Sequence, residues 1–238
     1  MGIFGMKPTH VLGCTLAALL LCAGLAGLAT AATVDALSNS DVSAGLKKAL
    51  DQSINNAVGK LGVPGGFLDN PKVKIPLPPK LEKAQGAMRM LGMGKQADDL
   101  VTAMNRAAEA AVPESKVLLK QALHQMTLED AKHILTGGDD SATQYFKTAT
   151  YAPLEAKFKP IIDEATRKVK LAENYDAVAG KAVELGVLKP EDGTIESYVT
   201  QKTLDGLFTM MAEEERAIRK DPLGQASDLL KKVFGALR

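Results

Sequence analysis

Glu129, Asp130 and His133 fall within about one helical turn of each other, and His124 stands on the segment just before them. Such a set could hold a metal ion. Ligation, however, wants at least three convergent donors, commonly including two His or Cys. A single His beside acids on an amphipathic helix is more simply a solvated or capping group, so no metal and no cofactor is expected. The loop Thr136-Gly137-Gly138-Asp139-Asp140 could offer backbone amides to an anion, because glycines permit close approach and a helix follows. Its two carboxylates would repel phosphate, and the spacing of a helix-loop-helix calcium site is absent. A turn that caps the next helix is the expectation here.

Two further polar groupings stand out. Asn105, Arg106 and Glu109 sit on an Ala-rich helical stretch, while Asp205, Glu214, Glu215, Arg219 and Asp221 crowd a long helical stretch near the C-terminus. If they meet across a bundle, they form either a mutually satisfied buried network or the floor of a cleft. The candidate polar-network or ligand-groove residues are therefore Asn105, Arg106, Glu109, Asp130, Asp205, Glu215, Arg219 and Asp221. An enzyme drawing on acids near Asp130 or Glu215 is the alternative, although no nucleophile elbow accompanies any serine. Met88, Met90, Met93 and Met104 cluster about Gly92 to Gly94. Flexible thioethers suit either gap-filling in a core or a groove for a peptide or acyl chain.

The elements that must position these residues are helices. Val42, Leu46, Ala49, Leu50, Ile54, Val58 and Leu61 recur at three- and four-residue steps, predicting a helix from Ser38 to Gly62 with Ser40 as cap. Residues 62–79 hold Pro64, Pro71, Pro76, Pro78 and Pro79, a density that excludes a helix and favours extended geometry. Alternation of Val73, Ile75 and Leu77 with other residue types predicts a strap with one side buried. Helices resume near Lys80, break at Gly92 to Gly94, and carry a stripe of Leu100, Met104, Ala107, Ala108 and Ala111.

Pro113 starts the next helix, Thr127 with Asp130 forms a capping box, and Thr136 to Gly138 closes that helix. A helix capped by Asp139, Asp140 or Ser141 follows, with Pro153 and Pro160 marking breaks or fresh starts. Gly186 to Thr194 reads as a turn, Ile195 to about Lys220 as a long helix, and Pro222 opens a last one with the stripe Leu223, Ala226, Leu229, Leu230, Val233, Phe234 and Leu237. That last stripe suits docking onto its own domain, or association with a membrane surface.

Composition bounds the function classes. With 29 Lys and Arg against 28 Asp and Glu, the chain has no global pull towards nucleic acid. Trp is absent, and six Phe and four Tyr leave the core to Ala, Leu, Val, Ile and Met, the material of packed helices. Lys7, the uncharged apolar run Val11 to Leu28 and Ala29-Thr30-Ala31 predict a signal peptide over residues 1–31, cleaved after Ala31, and a periplasmic protein. Both cysteines, Cys14 and Cys22, lie inside it, so the mature chain holds no disulfide. Cys22 follows Leu21 and Cys14 lies too early in the run, which argues against a lipoprotein.

Lys74-Ile75-Pro76-Leu77-Pro78, then Met104-Asn105-Arg106-Ala107-Ala108-Glu109, then Asp130-Ala131 with Ile134-Leu135-Thr136-Gly137-Gly138 are separated motifs in a fixed order. Together they resemble domain-of-unknown-function family 4197. The closing run Leu204-Asp205-Gly206-Leu207-Phe208, Glu214-Glu215, Ile218-Arg219, Asp221-Pro222 and Val233-Phe234-Gly235 resembles that family's signature, and the similarity covers essentially the whole mature chain. The resemblance implies an exported helical bacterial protein and brings no activity or site residue with it. The expected architecture is a single all-α domain over residues 32–238, an irregular multi-helix bundle with a proline-rich strap at 62–79. The leading functional expectation is a non-enzymatic periplasmic protein that binds a protein partner or an apolar ligand in a groove between helices.

Overall fold

The stripe read at three- and four-residue steps in the first segment is buried throughout, from Val42 to Leu61, and it fixes the inner face of α1 (Asn39–Leu61). The structure, a computed structural model, describes residues 39–184, 189 and 193–220. The expected signal peptide, the helix expected after Pro222 and most of the turn expected at 186–194 fall on residues outside the described ones. The helices continue as α2 (Pro79–Met90), α3 (Gly94–Ala111), α4 (Ser115–Gln125), α5 (Leu128–Thr136), α6 (Ser141–Thr166), α7 (Lys170–Glu184) and α8 (Ile195–Lys220), with a 3-10 turn at Val112–Glu114. Among the described residues there is no strand, so the chain is an all-α, multi-helix protein. None of these helices is long and apolar enough to cross a membrane.

α6 and α8 are the principal pair: α8 packs along α6 and α1, and α3 packs against both α6 and α8. Phe146, Leu154, Phe158 and Ile162 bury the inner face of α6, and Leu204, Leu207, Phe208 and Met211 that of α8. The Tyr151 and Phe208 rings stack across the two helices, with centroids 6.4 Å apart.

Three local expectations are corrected. Ser40 is not a cap, because the helix already includes Asn39. Pro153 and Pro160 do not break α6, which runs through both. Each proline frees the carbonyl four residues earlier, and those residues, Ala149 and Ala156, are exposed like the prolines themselves, so the lost bonds fall on the solvent side of the helix, where they cost least. The opposite face, with Phe146, Thr150, Leu154, Phe158, Ile162 and Thr166 at four-residue steps, is held in the core.

The strap is extended only over residues 74–78, where Ile75 is buried between the exposed Lys74 and Pro76 and Leu77 is buried after Pro76, so the alternation holds from Val73 to Leu77 and ends at Pro78, which is buried too. Its first half, residues 64–73, is a series of turns around the fully buried Phe67, closed by bonds such as Asp69 N–H to the Gly65 carbonyl (3.1 Å). Phe67 lies against α8 at Gly206, where a Cβ would come within 2.7 Å of the ring. A glycine is required at that crossing.

Candidate functional site

Asn105 is fully buried on α3, and its amide closes on the strap: Oδ1 accepts the Ile75 N–H and Nδ2 donates to the Ile75 carbonyl, both at 2.8 Å. One turn along, Glu109 Oε1 accepts three backbone amides, from Gly65 (3.1 Å), Phe67 (3.0 Å) and Leu68 (3.0 Å), while Arg106 donates to Oε2 at 2.6 Å. Burial pushes the Glu109 carboxyl up, but the amides of Leu68 and Phe67 and the Arg106 guanidinium outweigh it and hold it below the ordinary carboxylate range. Backbone amides converging on one point form an anion-binding concavity, and here the chain's own carboxylate fills it. Asn105, Arg106 and Glu109 thus clamp the strap to α3.

A second clamp lies on α8. Glu215, the one charged residue among the buried described residues of α8, accepts the first free amides of α6, from Ala142 (3.0 Å) and Thr143 (2.9 Å), and the Thr143 hydroxyl (2.9 Å). Arg219 donates to Glu215 at 2.8 Å and to the Ile134 carbonyl near the end of α5, also at 2.8 Å. The positive end of α6 and the negative end of α5 are therefore neutralised by an acid and a base on one helix. Asp140 precedes α6 but its side chain caps nothing. The amides that an anion beyond the loop Thr136 to Asp140 would meet at the start of α6, those of Ala142 and Thr143, are taken by Glu215.

The other singled-out residues go elsewhere. Asp130 completes the capping box with Thr127, whose hydroxyl and amide hold the Asp130 carboxyl below its usual range. Glu129, His133 and His124 are all exposed, and among the described residues no three acids, His or Cys are grouped to hold a metal ion. Glu214 pairs with Lys60. Met88 and Met104 are buried, Met93 packs against the core, and Met90 projects into solvent. Asp221 lies outside the described residues.

Asp205 faces a cleft of about 450 Å³ between the strap and α8. Val73, Pro76, Leu77 and Pro79 contribute apolar surface, and Lys74, Lys202, Gln201 and Tyr198 join Asp205 around it. The Tyr198 hydroxyl donates towards the Pro76 carbonyl at 3.3 Å, which ties the cleft's two walls together. Lys72 at one edge is paired with Glu213 at 2.8 Å. Among the described residues, Lys74, Lys202 and Asp205 have no ion pair, although the Lys202 ammonium stands 5.8 Å from the Tyr198 ring centre. Sequence reasoning missed Lys74, Lys202 and Gln201. The strap alternation carried part of the signal, since burial of Val73, Ile75 and Leu77 turns Lys74 and Pro76 outwards. Nothing in the pattern of α8 showed which polar residues would meet the strap.

A last polar cluster lies where α6, α7 and α8 meet. Asp176 accepts the Ile195 amide at 2.6 Å, and Glu196 Oε1 and Thr200 Oγ1 are buried without a hydrogen-bond partner. Burial, with a smaller push from Asp163, raises the Asp176 carboxyl above its usual range despite the Ile195 amide. Burial likewise raises Glu196, with Asp163, Asp176 and Glu155 adding to the shift and Lys159 opposing it.

No curated protein and no solved structure matches this chain. The model of one family, described as protein of unknown function (DUF4197), matches residues 36–235, a span that takes in both clamps, the strap and the cleft. The chain belongs to that family.

Proposed function

We propose that this is an exported, non-catalytic binding protein of the cell envelope, and that the cleft between strap and α8 receives an extended segment of a protein partner. The observation that carries this reading is the company of Lys74, Lys202 and Asp205, all without ion pairs, beside the apolar surface of Val73, Pro76 and Leu77. A peptide offers both signs of charge, backbone donors and acceptors, and apolar side chains at alternate positions. An acyl chain would leave Lys74, Glu82, Lys202 and Asp205 facing hydrocarbon, which is costly. The polar residues that an enzyme reading would recruit are engaged as braces: Arg106 with Glu109, Arg219 with Glu215, and Asn105 with the strap backbone. Export rests on the segment Lys7 to Ala31.

The test is a photoreactive amino acid placed at Gln201 in the full chain, produced in its own host, with the crosslinked peptide identified by mass spectrometry. One defined partner peptide is expected, and the crosslink should disappear when Lys202→Glu and Asp205→Lys are combined at unchanged melting temperature. No crosslink, or one indifferent to the charge reversal, overturns the cleft assignment. The mass of the purified chain checks export independently: it should begin at Ala32, and a chain retaining Met1 removes that part of the proposal.

A further inference from the structure

The turn between α2 and α3 places two strongly exposed large apolar side chains side by side, Met90 at 90% and Leu91 at 76%, whereas Val117, at 70%, stands without such a neighbour in sequence. The turn itself is tightly determined. Gly92 adopts φ +75°, Gly92 N–H bonds to the Arg89 carbonyl (3.1 Å) and Met93 N–H to the Met88 carbonyl (2.8 Å), the paired bonds of a glycine-terminated helix end. Met88 and Met93 turn inwards to the core, which leaves Met90 and Leu91 at the outer tip. Ala84 and Ala87, exposed six and three residues before Met90, continue this uncovered face along α2, which packs chiefly on α3.

Charge accompanies the apolar tip. From Lys83 to Lys95 the chain carries three cations, Lys83, Arg89 and Lys95, and no acid, with Glu82 before and Asp98 and Asp99 after this stretch, whereas the whole chain has a net charge of only +1. All three cations are exposed; Lys95 is ion-paired with Asp99 at 2.7 Å, a pair open to solvent and therefore weak. An apolar tip with basic residues behind it is the arrangement of a segment that rests in a lipid headgroup region, where the cations meet anionic phosphates and the apolar side chains enter the acyl boundary. An acidic protein would engage the cations but would leave Met90 and Leu91 without a reason to project.

We propose that the α2–α3 tip, with Met90 and Leu91 as anchors and Lys83 and Arg89 behind them, docks shallowly on an anionic phospholipid surface. This surface is separate from the Gln201–Lys202–Asp205 part of the cleft, so each assignment stands or falls alone. The experiment is co-sedimentation of the full chain with vesicles of phosphatidylethanolamine containing about one-quarter phosphatidylglycerol, against vesicles of phosphatidylcholine. Binding to the anionic vesicles alone is expected, weakening as salt rises. Met90→Ser with Leu91→Ser should lower the partition by about tenfold or more. Lys83→Gln with Arg89→Gln should lower it comparably, and Lys202→Glu should leave it unchanged. Both pairs are exposed, so unchanged melting temperatures confirm that the fold is intact.

Absence of binding by the parent chain overturns the proposal. So does binding that survives Met90→Ser with Leu91→Ser, which would move the lipid contact to another surface such as the segment after Pro222. Sensitivity to the charge pair alone would reduce the tip to a general polyanion contact and likewise overturn it.

Discussion

Asn105, Glu109 and Glu215 each use a side chain where backbone would ordinarily serve, and the consequences of removing them differ. Glu109→Ala leaves three amides around a buried space without their acceptor, and a loss of about 3–5 kcal/mol is expected in denaturant unfolding. Glu109→Gln keeps an acceptor oxygen for those amides but sets an NH2 group against Arg106, so a smaller loss of about 1–3 kcal/mol follows. Because Glu109 is held below the ordinary carboxylate range, its contribution is complete above that range and fades as pH falls through its lowered value. The parent chain should therefore converge on the Gln variant in acid, which urea melts across pH would show. Asn105→Ala removes both partners of Ile75 at once. Hydrogen exchange at the Ile75 amide should accelerate more than exchange in the interior of α8.

Helix interiors carry local costs that tertiary contacts tolerate, and substitutions can expose those costs. Gly86 lies within α2, and a methyl group added there would meet nothing within 4 Å, so Gly86→Ala should stabilise by about 0.5–1 kcal/mol. Pro160, exposed within α6, is a better test of the corrected reading of that helix. Pro160→Ala restores the bond to the Ala156 carbonyl and should raise stability by about 1–3 kcal/mol, provided the helix needs no bend there. A loss of stability would mean that proline sets a curvature on which the α6–α8 packing depends. Gly206 has the opposite sign: Gly206→Ala drives a methyl group into Phe67, and a loss of about 1–3 kcal/mol is expected by thermal or denaturant unfolding.

Across the molecule, the carboxylates divide by the sign of their linkage to pH. Glu109 favours the fold when ionised, whereas Glu196 and Asp176, raised by burial, favour it when protonated, a contribution present below the ordinary carboxylate range and lost as pH rises through their raised values. Glu196→Gln should accordingly increase stability at neutral pH, with the gain vanishing in acid; a gain independent of pH would show that repulsion among these acids is not its source. The sequence by itself determined the helical class, since three- and four-residue apolar steps from Val42 to Ile218 can bury only one face of a helix. It also determined the Thr127–Asp130 cap and the buried side of the strap, because capping and alternation act over two to four residues. Only the tertiary structure decided that α6 is capped by Glu215 from 72 and 73 residues away, that Glu109 gathers the turns around Phe67, and that Lys74 and Asp205 border one cleft. The physical reason is range. Propensity and periodicity describe how a segment satisfies itself, while a buried carboxylate must be satisfied by whichever amides folding brings to it, and no local spacing records that choice.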